Sequence, residues 1–164
     1  MPYFLNADTI KNSFTEVAKY KYFVDKTKMI KDINECIETP DKYLCITRPR
    51  RFGKTINAMM LACYYSRTAD FKQLFDNTEI NKCEFYEKHL NQHNIVYINF
   101  SANASSSETY KEYINYYKIR LIRDIVEVYP NIVLNDPIDL ILQKIFETTK
   151  QGFIFILRIN IIEN

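Results

Sequence analysis

The sequence predicts an α/β fold built on a largely parallel sheet, and two observations carry that expectation. Short uninterrupted apolar runs recur along the chain: KYLCIT at 42–47, IVYINF at 95–100 and FIFIL at 153–157. Such runs have the shape of strands buried on both faces. Between them lie stretches whose apolar residues fall three and four apart, which is the helical period. Strands that alternate with helices in this way form parallel sheets with crossover helices. Ligands in such folds sit at the carboxyl ends of the strands.

The bulk properties agree with one globular domain spanning 1–164. Apolar residues make up 47 % and charged residues 26 %, an ordinary balance that excludes a disordered chain. Lys and Arg number 22 against 20 Asp and Glu, and a net charge of +2 does not by itself call for nucleic acid or an anionic membrane. The chain does not open with basic residues followed by an apolar run, so no signal peptide is expected. No stretch is long and apolar enough for a membrane span. The four cysteines, Cys36, Cys45, Cys63 and Cys83, form no C-x-x-C pair, so zinc spacing is missing and a cytoplasmic protein with reduced thiols is the simplest expectation.

Taken in order, residues up to about Lys21 have weak helical periodicity. Tyr22, Phe23 and Val24 read as a short strand. Asp25-Lys26-Thr27 then opens a helix through Ile30, Ile33 and Ile37. Pro40-Asp41 is a turn signal. KYLCIT follows as a strand, the segment RPRRFG as a loop, and 54–65 as a helix with Ile56, Met59, Met60 and Cys63 on one side. Short helices are expected at 69–75 and 82–93. After IVYINF, Ser105-x-x-Glu108 resembles a capping box. It opens a long helix with Tyr110, Ile114, Tyr117, Leu121, Ile125 and Val128 on one stripe and Lys111, Lys118 and Arg123 on a solvated face. Asp136-Pro137 starts another helix, carrying Leu142, Ile145 and Phe146. Gly152 suits the left-handed position after it, and FIFIL closes the series.

One strand–loop–helix unit carries chemistry. Its segment is Thr47-Arg48-Pro49-Arg50-Arg51-Phe52-Gly53-Lys54-Thr55. The P-loop, or Walker A, pattern G-x-x-x-x-G-K-[ST] matches at its last three positions, with Arg48 in place of the first glycine. The chain has only two glycines, Gly53 and Gly152, so the one spent here marks a backbone with a special need. Gly53 lets the backbone approach a phosphate, and the amides opening the helix point at that anion along the helix dipole. Lys54 reaches the phosphate oxygens and the Thr55 hydroxyl is a Mg²⁺ ligand. Arg48, Arg50 and Arg51 either hold phosphate oxygens in bidentate fashion or pair with solvent and acids. Two readings of another kind stand beside this one. The loop is a basic surface turn that binds nothing, or it contacts nucleic-acid phosphates with tyrosines as stacking surfaces.

The strings RPRRFGKT, YFVDKT at 22–27 and IVYINFS at 95–101 resemble the predicted AAA-ATPase family, over about 14–155. That resemblance implies a P-loop NTPase-like three-layer sandwich with a mainly parallel sheet, ATP and Mg²⁺ as cofactors, and nucleotide as the partner. It also implies Lys54 and Thr55 as the phosphate and metal residues, with Arg48, Arg50, Arg51, Phe52 and Gly53 completing the loop. The first P-loop glycine is commonly missing in this family. Asp25-Lys26-Thr27 either lines the nucleotide site or pins the N-terminal segment, with Asp25 as a plain helix N-cap.

The family pattern also places an acid at the end of a second apolar strand, to position Mg²⁺ and water for phosphoryl transfer. Here FIFIL runs into Arg158-Ile159-Asn160. The resemblance implies an ATPase, while the missing carboxylate argues against turnover by this chain. Two explanations compete. Either the sequence is a fragment cut or frameshifted before the acid, with the rest of the same protein as an expected partner and the sheet incomplete at its C-terminal end, or it is a hydrolysis-deficient remnant. His89 and His93 sit four apart but lack the Glu of H-E-x-x-H and a third ligand, so they read as surface histidines. The cysteines read as core or half-buried thiols.

Overall fold

The computed structural model describes residues 2–47, 49, 51–100, 109–132 and 136–159. It is a mixed helix and strand chain with a small parallel sheet of two strands. The described elements are α1 (Asp8–Ala18), α2 (Met29–Cys36), α3 (Lys54–Tyr65), α4 (Lys72–Phe75), a 3-10 turn at Glu79–Lys82, β1 (Asn94–Asn99), α5 (Tyr110–Val128), α6 (Ile138–Thr149) and β2 (Phe153–Arg158). Two compact units divide them: Met1–Ala7 with Asn94–Asn164, and Asp8–His93.

In the first unit β1 and β2 pair in parallel, with Val96 opposite Phe155 and Asn99 opposite Arg158. Alternate residues of β1 bond opposite edges. Asn94 N–H and Phe100 N–H donate to the carbonyls of Gly152 and Arg158, while Tyr97 N–H donates to Phe4 and Ile95 C=O accepts from Asn6. The N-terminal segment is thus a further antiparallel neighbour, bridged at Leu5. One oxygen of the buried Asp124 on α5 accepts from the backbone N–H groups of Tyr3, Phe4 and Leu5 at 2.9, 2.5 and 3.0 Å. That carboxylate satisfies donors that the single bridge leaves over. Val96 and Ile98 on one face of β1 share a core with Tyr117, Leu121, Ile125, Ile141 and Ile145 from α5 and α6. Ile95 and Tyr97 on the other face are buried as well, as an uninterrupted apolar run requires.

The second unit packs α1 against α3. The C-terminal half of α3 is buried all round, from Met60 to Tyr65. Phe75 lies under it, stacked on Phe14 at 6.1 Å between ring centroids and edge-on to Tyr64 at 5.4 Å. Buried aromatic hydroxyls need partners. Asn34 of α2 serves two: its amide donates to Tyr64 Oη at 3.1 Å and its carbonyl accepts from Tyr65 Oη at 2.7 Å. The Tyr64 hydroxyl donates onward to Tyr86 C=O. Burial drives the Tyr65 hydroxyl pKa upward and Cys63 up to about 12, so both stay neutral in the core.

Several expected elements differ. Residues 42–47 are irregular rather than a buried strand, with Tyr43 86 % and Ile46 46 % exposed. They pair with neither strand among the described residues, and an apolar run without a ladder neighbour leaves its backbone to water. Tyr22 to Val24 form a turn and coil, because Phe23 N–H closes on Tyr20 C=O. Residues 82–93 are turns instead of a helix. The α5 capping box is Thr109 with Glu112, not Ser105 with Glu108, which lie outside the described residues. On α6 the buried positions are Ile141 and Ile145, while Phe146 is exposed. The left-handed residue after α6 is Lys150 at φ 57°, not Gly152. β2 is only half-buried.

Candidate functional site

All of the candidate loop and the Asp25-Lys26-Thr27 element lie within the second unit. Pro49 C=O accepts from Phe52 N–H at 3.4 Å, which makes a turn of the residues before α3. Arg51 and Gly53 then take left-handed φ values of 66° and 78°. For Arg51 that conformation costs about 1 kcal/mol or more, the scale of strain that functional loops carry. For Gly53 it is nearly free. Gly53 is the N-cap of α3, and its carbonyl accepts the first helical bond, from Asn57 N–H at 2.9 Å. A glycine cap has no side-chain acceptor to offer the amides of the first turn. Those amides and the helix dipole are then directed at whatever anion approaches.

Two lysines converge on this backbone. Lys54, the first residue of α3, donates to Pro49 C=O at 3.2 Å. Lys26 donates to Phe52 C=O at 3.0 Å. Its ammonium lies 3.1 Å from where a Cβ on Gly53 would stand. A side chain at residue 53 would therefore be strained by φ and would press on Lys26.

The residues around Lys26 explain its aim. Asp25 Oδ1 accepts from Thr27 N–H at 2.8 Å, and Oδ2 accepts from Glu79 N–H at 2.8 Å. Thr27, fully buried, accepts at Oγ1 from Ile80 N–H at 3.1 Å. Asp25 and Thr27 thus hold the amides that open the 3-10 turn 79–82. Asp25 is not the N-cap of α2, which starts at Met29. Lys26, between two anchored residues, reaches the loop.

Of the other expected site residues, Arg48 and Arg50 lie outside the described residues. Arg51 and Phe52 are exposed, and Thr55 is half-buried in the first turn of α3. Among the described residues no group of three His, Cys, Asp or Glu side chains can hold a metal. A hydroxyl beside phosphate oxygens and water fits Mg²⁺, which keeps several waters and needs no protein cage. The sequence offers Asp25-Lys26-Thr27 as an element that lines the site or pins the N-terminal segment, and does not single out Lys26 as the residue that reaches the loop.

His89 and His93 are not surface residues. His89 is only 3 % exposed, and its Nδ1 stands 3.1 Å from His93 Nε2, one nitrogen donating and the other accepting. Burial, then the neighbouring His89, lowers the His93 pKa to about 4. Cys45 is exposed, contrary to a core or half-buried thiol. At the end of β2, Arg158 lies beside Tyr97, where its charge opposes the rise that burial gives the Tyr97 hydroxyl pKa.

A left-handed glycine thus opens α3 after an irregular segment, in a mixed α/β chain. A family model described as a predicted AAA-ATPase matches residues 10–157, and the chain belongs to this AAA-ATPase-like family. No curated protein and no solved structure matches the chain. No helix among the described residues is long and apolar enough to cross a membrane.

Proposed function

We propose that this chain binds nucleotide phosphates, as ATP with Mg²⁺, at the loop from Arg48 to Thr55. One observation carries the reading: a left-handed Gly53 opens α3 with Lys54 as its first residue, inside the segment that matches the family. The bound nucleotide supplies the phosphoanhydride, and the chain supplies the cradle. Gly53 and the amides of the first turn orient the phosphates. Lys54 leaves the Pro49 carbonyl to meet phosphate oxygen. Thr55 gives Mg²⁺ one hydroxyl. Arg48, Arg50 and Arg51 add cations, and Phe52 flanks the loop. The two parallel strands are the start of a three-layer sandwich in a single domain. The cytoplasm suits four free thiols. The family pattern expects an acid after an apolar strand and β2 ends on Arg158 instead, so binding without turnover is the expected activity.

The test is a titration of the 164-residue chain with a fluorescent ATP analogue and Mg²⁺, beside Lys54→Ala, after circular dichroism has confirmed that both fold. Saturable binding weakened about tenfold or more in the variant supports the reading, since a charge-assisted contact of this kind is worth at least that factor. Equal or absent binding in both folded proteins refutes it. Mg²⁺-dependent turnover that disappears with Lys54→Ala would refute the inactive half alone.

A further inference from the structure

We infer that Lys26 is a second phosphate-binding lysine of this loop, delivered to it by the clamp that Asp25 and Thr27 make on residues 79 and 80. The inference rests on the nucleotide reading above and assigns a role to a residue outside the glycine-lysine-threonine motif. Three observations lead to it. The Lys26 ammonium sits 3.1 Å from the position of a Cβ on Gly53, so an anion brought against that backbone meets it. Among the described residues its hydrogen bond is to Phe52 C=O. An ammonium has three donors, which leaves capacity for oxygen ligands. Among the described residues no carboxylate pairs with it; the oxygens of the adjacent Asp25 accept from the Thr27 and Glu79 amides.

The clamp makes this placement specific. A lysine stem carries about 2 kcal/mol of rotamer entropy, so an untethered one is a poor positioning device. Here the residues on either side are fixed by three hydrogen bonds to backbone amides, and Thr27 is wholly buried. Without ligand, Lys26 and Lys54 each donate to a carbonyl of the same loop. Phosphate oxygens, being anionic, are the stronger acceptors and draw both. The effect should grow with the number of phosphates, since each adds charge within reach of the two ammoniums.

The experiment compares Lys26→Met, which keeps the stem and removes the charge, with Lys26→Arg and Lys54→Ala. Each is titrated with AMP, ADP and ATP in Mg²⁺, with thermal melts as the folding control. Lys26→Met is expected to weaken ATP binding about tenfold and AMP binding much less, with Lys26→Arg close to the unsubstituted chain. In the unsubstituted chain, ATP should also shield Lys26 from an amine-acylating reagent, read by peptide mass spectrometry. A structural clip on Phe52 alone would give equal losses for AMP and ATP and no shielding, and that overturns the inference. So does unchanged ATP affinity in Lys26→Met while Lys54→Ala loses it, an outcome that leaves the nucleotide reading standing. Failure of the unsubstituted chain to bind any nucleotide removes both.

Discussion

Strand β1 and residues 42–47 are alike in hydrophobicity and differ in their edges. The amides and carbonyls of β1 alternate between β2 on one side and the N-terminal segment on the other. Both of its faces are covered, so Ile95, Val96, Tyr97 and Ile98 are all buried. Residues 42–47 pair with neither strand, and Tyr43, Leu44 and Ile46 face solvent. Burial of apolar side chains in a sheet is therefore conditional. It requires a neighbour for the backbone first, because bringing unpaired peptide groups out of water costs more than one side chain returns. β2 is intermediate: its ladder to β1 is formed, yet Phe155 and Leu157 stay largely exposed.

The largest expected effect comes from making the same substitution in both segments. Ile98→Ala removes a side chain that is 6 % exposed and sits in the core with α5 and α6. It should destabilise by about 3 kcal/mol. Ile46→Ala, at a side chain 46 % exposed, should stay within about 0.5 kcal/mol. Urea midpoints at a common slope measure both. Equal costs would mean that 42–47 is buried in solution and would break the contrast.

This contrast also marks how far the sequence could be read. α3 was legible at its start and approximately at its end, because its start is fixed by Gly53 and its apolar pattern is continuous. β1 and β2 were legible from apolar runs, and the crossover between them from helical spacing. The fate of 42–47 was not, because hydrophobicity states what a segment can bury and not whether a ladder neighbour is present. At the candidate loop, the place of Gly53, Lys54 and Thr55 at the start of α3 followed from local spacing. The D-K-T element stood there as one of two readings, but the aim of Lys26 was not legible, since it depends on hydrogen bonds that the amides of residues 79 and 80 donate to Asp25 and Thr27, more than fifty positions away along the chain. The histidines were misread for the same reason: spacing of four fits a surface helix, but 83–92 is turns and coil, which leaves His89 buried and His93 half-buried.

A smaller effect tests the approach to β1. His93 directly precedes the strand. Its N–H donates to Tyr65 C=O, and its C=O accepts from Arg67 N–H. Its pKa is lowered from 6.5 to about 4, chiefly by burial and then by His89, against a weaker opposing pull from Glu38. A lowered folded value means that the unfolded chain takes the proton first as pH falls. Stability is then complete above about pH 6.5 and is lost progressively as pH drops towards 4. His93 is partly solvated, and screening trims the nominal ~1.4 kcal/mol per unit, so a loss of about 1 to 2 kcal/mol is expected over that window. Denaturant melts from pH 7 to pH 4 would show it, and His93→Phe should flatten the slope. A slope unchanged in His93→Phe would assign the acid sensitivity to other groups.

The smallest effect concerns the entry to α5, whose stripe supplies half of the core beneath β1. Thr109 Oγ1 accepts from Glu112 N–H at 3.2 Å, and Glu112 Oε2 accepts from Thr109 N–H at 3.3 Å. This reciprocal box satisfies two amides that the helix cannot bond internally. Thr109→Ala should cost about 1 kcal/mol. Glu112→Gln should cost less, because the amide oxygen still accepts. Both residues are exposed, so neither change opens a cavity, and the loss isolates the cap from the packing of Tyr117, Leu121 and Ile125. Thermal melts of the two single variants and the double variant measure the coupling between the two bonds. Additive losses would mean that the bonds form independently. A Thr109→Ala variant as stable as the unsubstituted chain would move the true start of α5 elsewhere, and with it the register by which the helix meets β1.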